Sequence, residues 1–495
     1  MGFILNRSIF VSLITYVGVV IGYLNVLWLY PKVMDLEEIG LFRTLQDIAL
    51  LFVPFAQMGA GQGLIRYFPH GTTKTEQQQI VSLSLAWSLF SFLFFLLIFW
   101  LLQDWIYLFF DEKAGAVNNY LPVVLLLTFI LNLQGVLEPL ARSLLKFRFV
   151  AFSKEILLRV LSAALIILYF FGLLSFNQAV WGLVVVYGTV TLMIAFHLVK
   201  SGWATIHFTY FPQVKNLIPP FIRYGLITFL SSASSLLVMK TDSIMVTQMI
   251  GLEANGIYTT VFFMAVIVEL PRRILSQIST PLLSQAFEQN DMQLAQKIYQ
   301  KSSINLLLIS ALLYIGIICN MSALFSVMPK GEAFQTGAMV VILIGIGKLV
   351  DGAAGVNGEI LVMSRYYRIN LYFTIVMAIL NVLLNYLFIP IWGIEGAALG
   401  SCLSLIFFNL LKYFYLQIKL QLQPFSQNTL LLLLILGAAF AAGWFLPALA
   451  NPFLDIVVRS LLITAIVAAG VLYFKVSEEA NALVQKLWQY RSGKN

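Results

Sequence analysis

The polar residues of this chain come in short clusters, and between them run continuous apolar stretches of about twenty residues. These runs do not alternate apolar with polar positions, so they predict helices rather than the strands of a lipid-facing barrel. A hydrocarbon core ~30 Å thick takes about 20 residues of helix. By that measure six candidate spans come first, at 9–30, 44–66, 80–102, 120–145, 154–174 and 178–199. Six more follow at 222–249, 256–280, 302–325, 336–360, 368–390 and 393–418, and a final two at 429–448 and 456–474. The predicted fold is an all-α integral membrane protein of about fourteen transmembrane helices.

An internal repeat divides that array. Residues 36–42 read LEEIGLF and residues 252–258 read LEANGIY, so that Leu36, Glu37 and Gly40 match Leu252, Glu253 and Gly256 at one constant offset. Pro54 and Pro271 follow at nearly the same distance. The repeat predicts two homologous six-helix bundles, residues 1–208 and 209–420, with two further helices and a tail in 421–495. An even number of spans per bundle gives both the same orientation. Their relation is then a pseudo-twofold axis along the membrane normal, with any substrate path where they meet.

Composition agrees with a membrane solvent. The chain is 60% hydrophobic and 11% charged, against roughly 45–50% and about 25% in soluble domains. The net charge of +8 changes the picture only through its placement. With the N-terminus inside, Arg7, Lys74, Lys146, Arg148, Lys200, Lys215, Lys297, Lys301, Arg365, Lys419 and the tail (Lys475, Lys486, Arg491, Lys494) all fall on the inner side. The outer loops hold mostly acids. The positive-inside bias therefore puts both termini in the cytoplasm and gives no reason to expect nucleic-acid binding. The first apolar run is too long for a signal-peptide core and is expected to be retained. Residues 285–302 and 477–490, the latter with Leu483, Leu487 and Trp488 on one face, predict helices lying along the membrane surface. Cys319 and Cys402 sit in apolar runs as packing residues.

Ionisable residues inside spans are costly and usually face a protein interior or a watery cavity. Lys348 and Asp351, three residues apart, share a helix face. They can neutralise each other or line a cavity, and the glycines at 345, 347, 352 and 355 favour the second reading by allowing close packing or a kink. Lys240 and Asp242 are two apart and point to different faces, so at least one needs a partner elsewhere. Glu138 and Arg142 can pair within their helix, although Arg142, like Arg66 and Arg159, lies near the inner surface where a snorkelling side chain is ordinary. Glu269, Arg272 and Arg273 flank Pro271, which permits a kink. The two arginines suit an anionic headgroup or mark the inner boundary. Asn25, Gln57 and Asn357 are candidate polar residues of a cavity. His70, His197 and His207 lack metal-ligand spacing, and no metal site or cofactor is expected. No G-x-x-x-x-G-K-[ST] loop is present, which excludes ATP hydrolysis by that route.

At the eleventh and twelfth spans the chain reads NVLLNYLFIPIWGIEGAALG (381–400). Asn381 and Asn385 share a face, Pro390 and Gly393 make a tight turn, and Gly396 to Gly400 let the return helix pack closely. This hairpin resembles those of bacterial polysaccharide-biosynthesis membrane proteins, the lipid-linked oligosaccharide flippases of O-antigen type in the multidrug/oligosaccharidyl-lipid/polysaccharide exporter superfamily. LEEIGLFRTLQ, MGAGQGLIRYFP, LEANGIY and GIGKLVDGAAGVNGEIL are similar to pieces of the same family in the same order.

The resemblance implies a transporter, not an enzyme, with two bundles around a central cavity in the bacterial inner membrane. Its substrate would be an undecaprenyl-pyrophosphate-linked sugar, such as a lipopolysaccharide O-antigen precursor, moved outward by alternating access. The implied substrate-binding cations are Lys240, Lys348, Arg272 and Arg273, and the implied carriers of a coupled H+ or Na+ are Asp242, Asp351 and Glu138. The polar candidates Asn25, Gln57, Arg66, Arg142 and Asn357 would line the cavity. Membrane lipids are the other expected partners, with the chain acting as a monomer beside polysaccharide-assembly proteins. Two alternatives stand beside this reading. A multidrug or cation antiporter of the same superfamily would favour an acidic cavity, against Lys240 and Lys348. A membrane glycosyltransferase, polymerase or ligase would carry a large catalytic loop, and none is visible.

Overall fold

The structure, a computed structural model, describes residues 14–203 and 215–482. Arg7, His207, the centre of the predicted link between bundles, and the tail residues Leu483, Lys486, Leu487, Trp488, Arg491 and Lys494 lie outside the described residues. Among the described residues every regular element is a helix. The chain forms two compact units, Met1–Thr259 and Thr260–Asn495.

The first unit contains α1 (Ile14–Val33), α2 (Leu36–Gln57), α3 (Lys74–Leu101), α4 (Leu121–Ser143), α5 (Leu158–Phe170), α6 (Phe176–Lys200), α7 (Ile218–Met249) and the start of α8 (Leu252–Val266). The repeated heptapeptides turn out to be the first turns of α2 and α8, not the connections before them. Glu38 fixes the start of α2 by accepting from the Asp35 backbone N–H at 3.0 Å, a capping-box bond that satisfies an otherwise orphan donor. The predicted second span, 44–66, is displaced accordingly. α2 stops at Gln57, where Met58 and Gly59 take positive φ of 43° and 74°, and a short helix, Ala60–Tyr67, sets off afresh. One buried core ties α3, α4, α6 and that short helix together through Leu64, Ile80, Val136, Leu140 and Ile194. The opposite side of α3 shows Leu89, Phe90, Leu93, Phe94, Leu97 and Trp100 to the surroundings, as a lipid solvent requires.

The second unit contains α9 (Leu270–Glu288), α10 (Met292–Cys319), α11 (Ala338–Ala353), α12 (Asn357–Met363), α13 (Tyr367–Leu420), α14 (Gln427–Phe445) and α15 (Pro452–Tyr473). A 3-10 turn, Ile267–Glu269, precedes Pro271, so the expected proline irregularity is present. The surface helix expected at 285–302 is not a separate element. Its first residues end α9 and its remainder begins α10, because Asn290 at φ 54° turns the chain and Asp291 caps Leu294 N–H at 2.8 Å. α13 is a hairpin. Asn381 donates to Ser401 at 2.9 Å, although twenty residues of straight helix would separate them by ~30 Å. The fold-back is at Gly393, whose φ of 58° and ψ of −135° lie outside any helix. α10, α14 and α15 share a core of Leu307, Ala311, Leu432, Leu436, Ile463 and Val467.

Eleven helices among the described residues are long and apolar enough to cross a membrane, or twelve if α11 and α12, bent by 49°, make one span. The sequence reading counts fourteen because it takes the two arms of α13 separately and includes 154–174. The helical run there carries Lys154 and Glu155 on the π-helical turn before α5 and Arg159 within α5, three charges that weaken it as a membrane-spanning segment.

Candidate functional site

Several of the candidate charges join a cross-helix network in each unit. In the first, Lys240 and Asp242 of α7 leave in different directions and both find partners on other helices. Lys240 Nζ donates to Asp47 Oδ1 of α2 at 2.6 Å. Asp242 is buried and accepts from the Tyr258 hydroxyl of α8 at 3.0 Å. Beside them, Thr44 and Thr247 hydroxyls lie 2.8 Å apart and Asn255 donates to Thr44 at 2.8 Å. The α2–α7–α8 contact is thus fastened by polar side chains that are buried or mostly buried.

The other first-unit candidates are scattered around this contact. Asn25, on a π-helical turn of α1, donates to the Arg159 carbonyl at 2.8 Å. Glu138 pairs with Lys154 at 2.7 Å, where the sequence suggested Arg142. Lys154 sits on a π-helical turn, Ser153–Leu157, just before α5, and Arg142 is exposed. Arg66 is exposed too, with its guanidinium 4.7 Å from the centre of the Tyr224 ring. Gln57 is buried and, with Gln62 and Ser232, lines a cavity of about 390 Å³.

The second unit holds the denser network. Glu269 and Arg272, three residues apart, face Lys348 and Asp351, also three apart. Lys348 Nζ donates to Glu269 Oε2 at 2.5 Å, and Arg272 Nε lies 3.1 Å from Asp351 Oδ2. The result is a two-rung ladder of opposite charges with one register. Of the two readings of Lys348 and Asp351, the ladder sets aside mutual neutralisation. The irregular turn before Pro271 brings a complementary pair within reach, and each charge binds across helices instead of along its own. Arg273 adds a second cation to Glu269 at 3.1 Å. Behind the ladder, Asn409 donates to Asp351 at 3.0 Å and accepts from Asn357 at 2.8 Å. Glu359 accepts from Ser276 at 2.5 Å and stands 3.8 Å from Arg272. With Lys412, which is buried on the second arm of α13, the network holds four cations, Arg272, Arg273, Lys348 and Lys412. Against them stand three carboxylates, Glu269, Asp351 and Glu359, leaving an excess of one positive charge.

Asp47, Glu359 and Lys412 are absent from the sequence-based candidates for one reason. Each falls within a few residues of a predicted span end, where charge is ordinary. α2 begins eight residues before the predicted boundary, which moves Asp47 to mid-helix. Among the described residues no group of His, Cys, Asp and Glu has the arrangement of a metal site.

Fold and networks together define a polytopic helical membrane protein built like known transporters. The lipid II flippase MurJ in an inward closed conformation superposes with a TM-score of 0.73 at 14% identity, covering 94% of this chain and 98% of that one. An inward-facing MATE family multidrug resistance transporter of the MOP superfamily gives 0.68 at 15% identity, over 82% and 94%. A MOP superfamily transporter from Pyrococcus furiosus gives 0.57 at 15% identity, over 83% and 95%. No curated protein matches by sequence. Residues 4–287 match the profile of the family described as polysaccharide biosynthesis protein, and the chain belongs to that family.

Proposed function

We propose that this protein is a flippase for an undecaprenyl-pyrophosphate-linked oligosaccharide. It moves the headgroup from the cytoplasmic to the outer leaflet of a bacterial inner membrane by alternating access of two six-helix bundles, 1–208 and 209–420. A pyrophosphate cannot cross ~30 Å of hydrocarbon unaided, and the observation that carries the reading is the charge network in helices of the second unit, where Arg272, Lys348 and Lys412 are largely buried and Arg273 lies at the exposed edge. Membership in a polysaccharide biosynthesis family and the MurJ-like fold support the same substrate class.

In this reading Arg272, Arg273, Lys348 and Lys240 exchange their carboxylate partners for the substrate's phosphates during the cycle. The released carboxylates, Asp351 above all, are then free to bind a coupled H+ or Na+, with Asp242 and Glu138 as the other candidate carriers. The MATE-like fold keeps a cation antiporter as the second reading. It is disfavoured by Lys412, a buried cation that has no carboxylate within ion-pair distance among the described residues and so repels a cationic drug.

The deciding experiment uses cells lacking this gene. Lipid-linked oligosaccharide is assayed in oriented membrane vesicles with an impermeant lectin. Accumulation on the cytoplasmic face, relieved by the intact gene but not by Lys348→Ala, supports the flippase. Accumulation on the outer face places the protein after flipping. No change in any lipid-linked sugar, together with altered drug efflux, moves the antiporter reading to the front.

A further inference from the structure

A cavity of about 280 Å³ opens beside the charge ladder of the second unit, lined by Arg272, Thr280, Glu359, Asn370, Phe408 and Lys412. It is close to the lower end of the ~300–1,000 Å³ range of small-molecule sites, so it holds a headgroup fragment rather than a whole glycolipid. Lys412 is only 4% exposed. Its ammonium lies 3.6 Å from the centre of the Phe408 ring, and among the described residues no carboxylate lies within ion-pair distance of it. A buried cation without an anionic partner is expensive, and a ring face offsets only part of that cost.

Arg272 completes the pattern. Although its Nε lies 3.1 Å from Asp351, the geometry is not that of a hydrogen bond, and the same Nε is buried with no aligned acceptor. Its NH2 group stands 3.8 Å from Glu359, again too far for a hydrogen bond. Gly358 sits between the two cations. A Cβ there would lie 3.3 Å from Lys412 Nζ and 3.8 Å from Arg272 NH2, so the missing side chain keeps the space between them clear. The hydroxyl of Thr280 and the amide of Asn370, whose Oδ1 is buried without a partner, stand on the cavity wall. Two carboxylates oppose these cations, Asp351 beside Arg272 and, on the cavity wall, Glu359, held by Ser276 at 2.5 Å.

We propose that this cavity is an anion subsite for a phosphate-bearing headgroup, with Lys412 as its principal cation and Arg272 as its second donor. Lys412 supplies a buried charge that makes no ion pair among the described residues. Arg272 supplies guanidinium N–H groups that its loose partners leave unfilled. The assignment of this headgroup to the transported substrate rests on the flippase reading. A membrane phospholipid bearing a phosphate monoester presents the same chemistry, and the experiment separates the two sources.

Full-length protein is purified into phosphatidylcholine nanodiscs and titrated with farnesyl pyrophosphate, a short isoprenyl pyrophosphate, with thermal stabilisation as the readout. A second series replaces part of the phosphatidylcholine with phosphatidic acid. Expected is saturable stabilisation by farnesyl pyrophosphate, weakened about tenfold or more in Lys412→Met and largely kept in Lys412→Arg. Lys412→Met without ligand is expected to melt no lower than the parent, because it removes an unpaired buried charge, so lost binding is not lost folding. Lys412-dependent stabilisation by phosphatidic acid alone supports the subsite and assigns it to a membrane lipid. Wild-type affinity for both ligands in a folded Lys412→Met protein overturns the subsite. The leaflet assay above judges the flippase reading separately: transport can fail there while Lys412-dependent binding stands, and the reverse.

Discussion

Gly40 and Gly256 lie against each other where the first turns of α2 and α8 cross. A Cβ on Gly40 would run into the Leu252 carbonyl oxygen, and a Cβ on Gly256 would run into the Leu36 carbonyl oxygen. Each hypothetical Cβ is also 3.1 Å from the other glycine's backbone nitrogen. The contact is reciprocal. Leu36 and Gly40 meet Gly256 and Leu252, the residues that match them in the repeated heptapeptides, as in an isologous twofold interface. The duplicated sequence is thus also the place where these two helix starts touch, and the glycine in each copy is what permits backbone to approach backbone.

That contact makes the first prediction. Gly40→Ala and Gly256→Ala each force the helix starts apart and destabilise the protein by about 1–3 kcal/mol, the usual cost of overpacking. The double variant costs less than the sum, since one separation relieves both clashes. Thermal unfolding of the purified protein checks both statements. Additive losses would mean that the two glycines do not share one contact.

Lys240 and Asp47 form a cross-helix pair that is mostly buried. Lys240→Met leaves Asp47 charged without a partner and lowers stability by up to ~3–5 kcal/mol. Adding Asp47→Asn returns most of the loss, because the stranded charge is gone. The check is the accumulation and melting temperature of the single and double variants. A Lys240→Met protein as stable as the parent would show that Asp47 has another cation or reaches water.

For the ladder of the second unit, Lys348→Ala is expected to abolish transport while the protein still inserts and accumulates, since Glu269 keeps Arg273 as its partner. Reversing that rung with Lys348→Glu and Glu269→Lys keeps an ion pair but does not return transport, because the charges facing the neighbouring rung change sign. Export of lipid-linked sugar, measured against protein level, tests this. Full transport by a well-expressed Lys348→Ala variant removes Lys348 from the site.

Asp242 is buried and accepts a hydrogen bond from the Tyr258 hydroxyl. Asp242→Asn retains the acceptor and removes the charge. If Asp242 carries the coupled ion, transport in that variant no longer responds to an imposed proton or sodium gradient. A full response in proteoliposomes places the coupling carboxylate elsewhere.

At the end of α15 the chain is tied back to α10. Lys301 reaches Glu478 at 2.7 Å and Glu479 at 2.8 Å, and Asn305 donates to Glu479 at 3.1 Å. Burial by itself would raise the Glu479 carboxyl, but hydrogen bonds from Lys301 and Asn305 outweigh it and hold the group below its ordinary value of 4.5. A depressed carboxyl stabilises the folded state above its unfolded pKa and loses that contribution as pH falls through the folded one. Amide exchange in 477–482 is therefore expected to quicken as pH drops below about 4.5, after correction for intrinsic rates, with Lys301→Ala already fast at pH 7. The pair is partly exposed, so the effect is local. Protection independent of pH and of Lys301 would show that packing alone holds the segment.

Much of this protein was legible without coordinates. Composition and unbroken apolar runs demanded lipid-embedded helices, because backbone groups in hydrocarbon must bond within their own segment. The glycines and asparagines of 381–400 announced the hairpin that Gly393 makes. The spacing of Lys240 and Asp242 required partners on other helices. These are properties of local chain geometry, and local geometry is written in residue order.

Which charge meets which was decided only in three dimensions. Lys348 and Asp351 are near neighbours on one helix and still bind Glu269 and Arg272, because the turn at Pro271 presents a complementary pair at the right height. Asp47 and Lys412 look like residues at the edge of a span until helix starts and packing place them inside. Hydropathy marks a span end only to within several residues, whereas an ion pair forms or fails over about one ångström, and that difference in scale is why the sequence determined the scaffold and the tertiary structure determined the site.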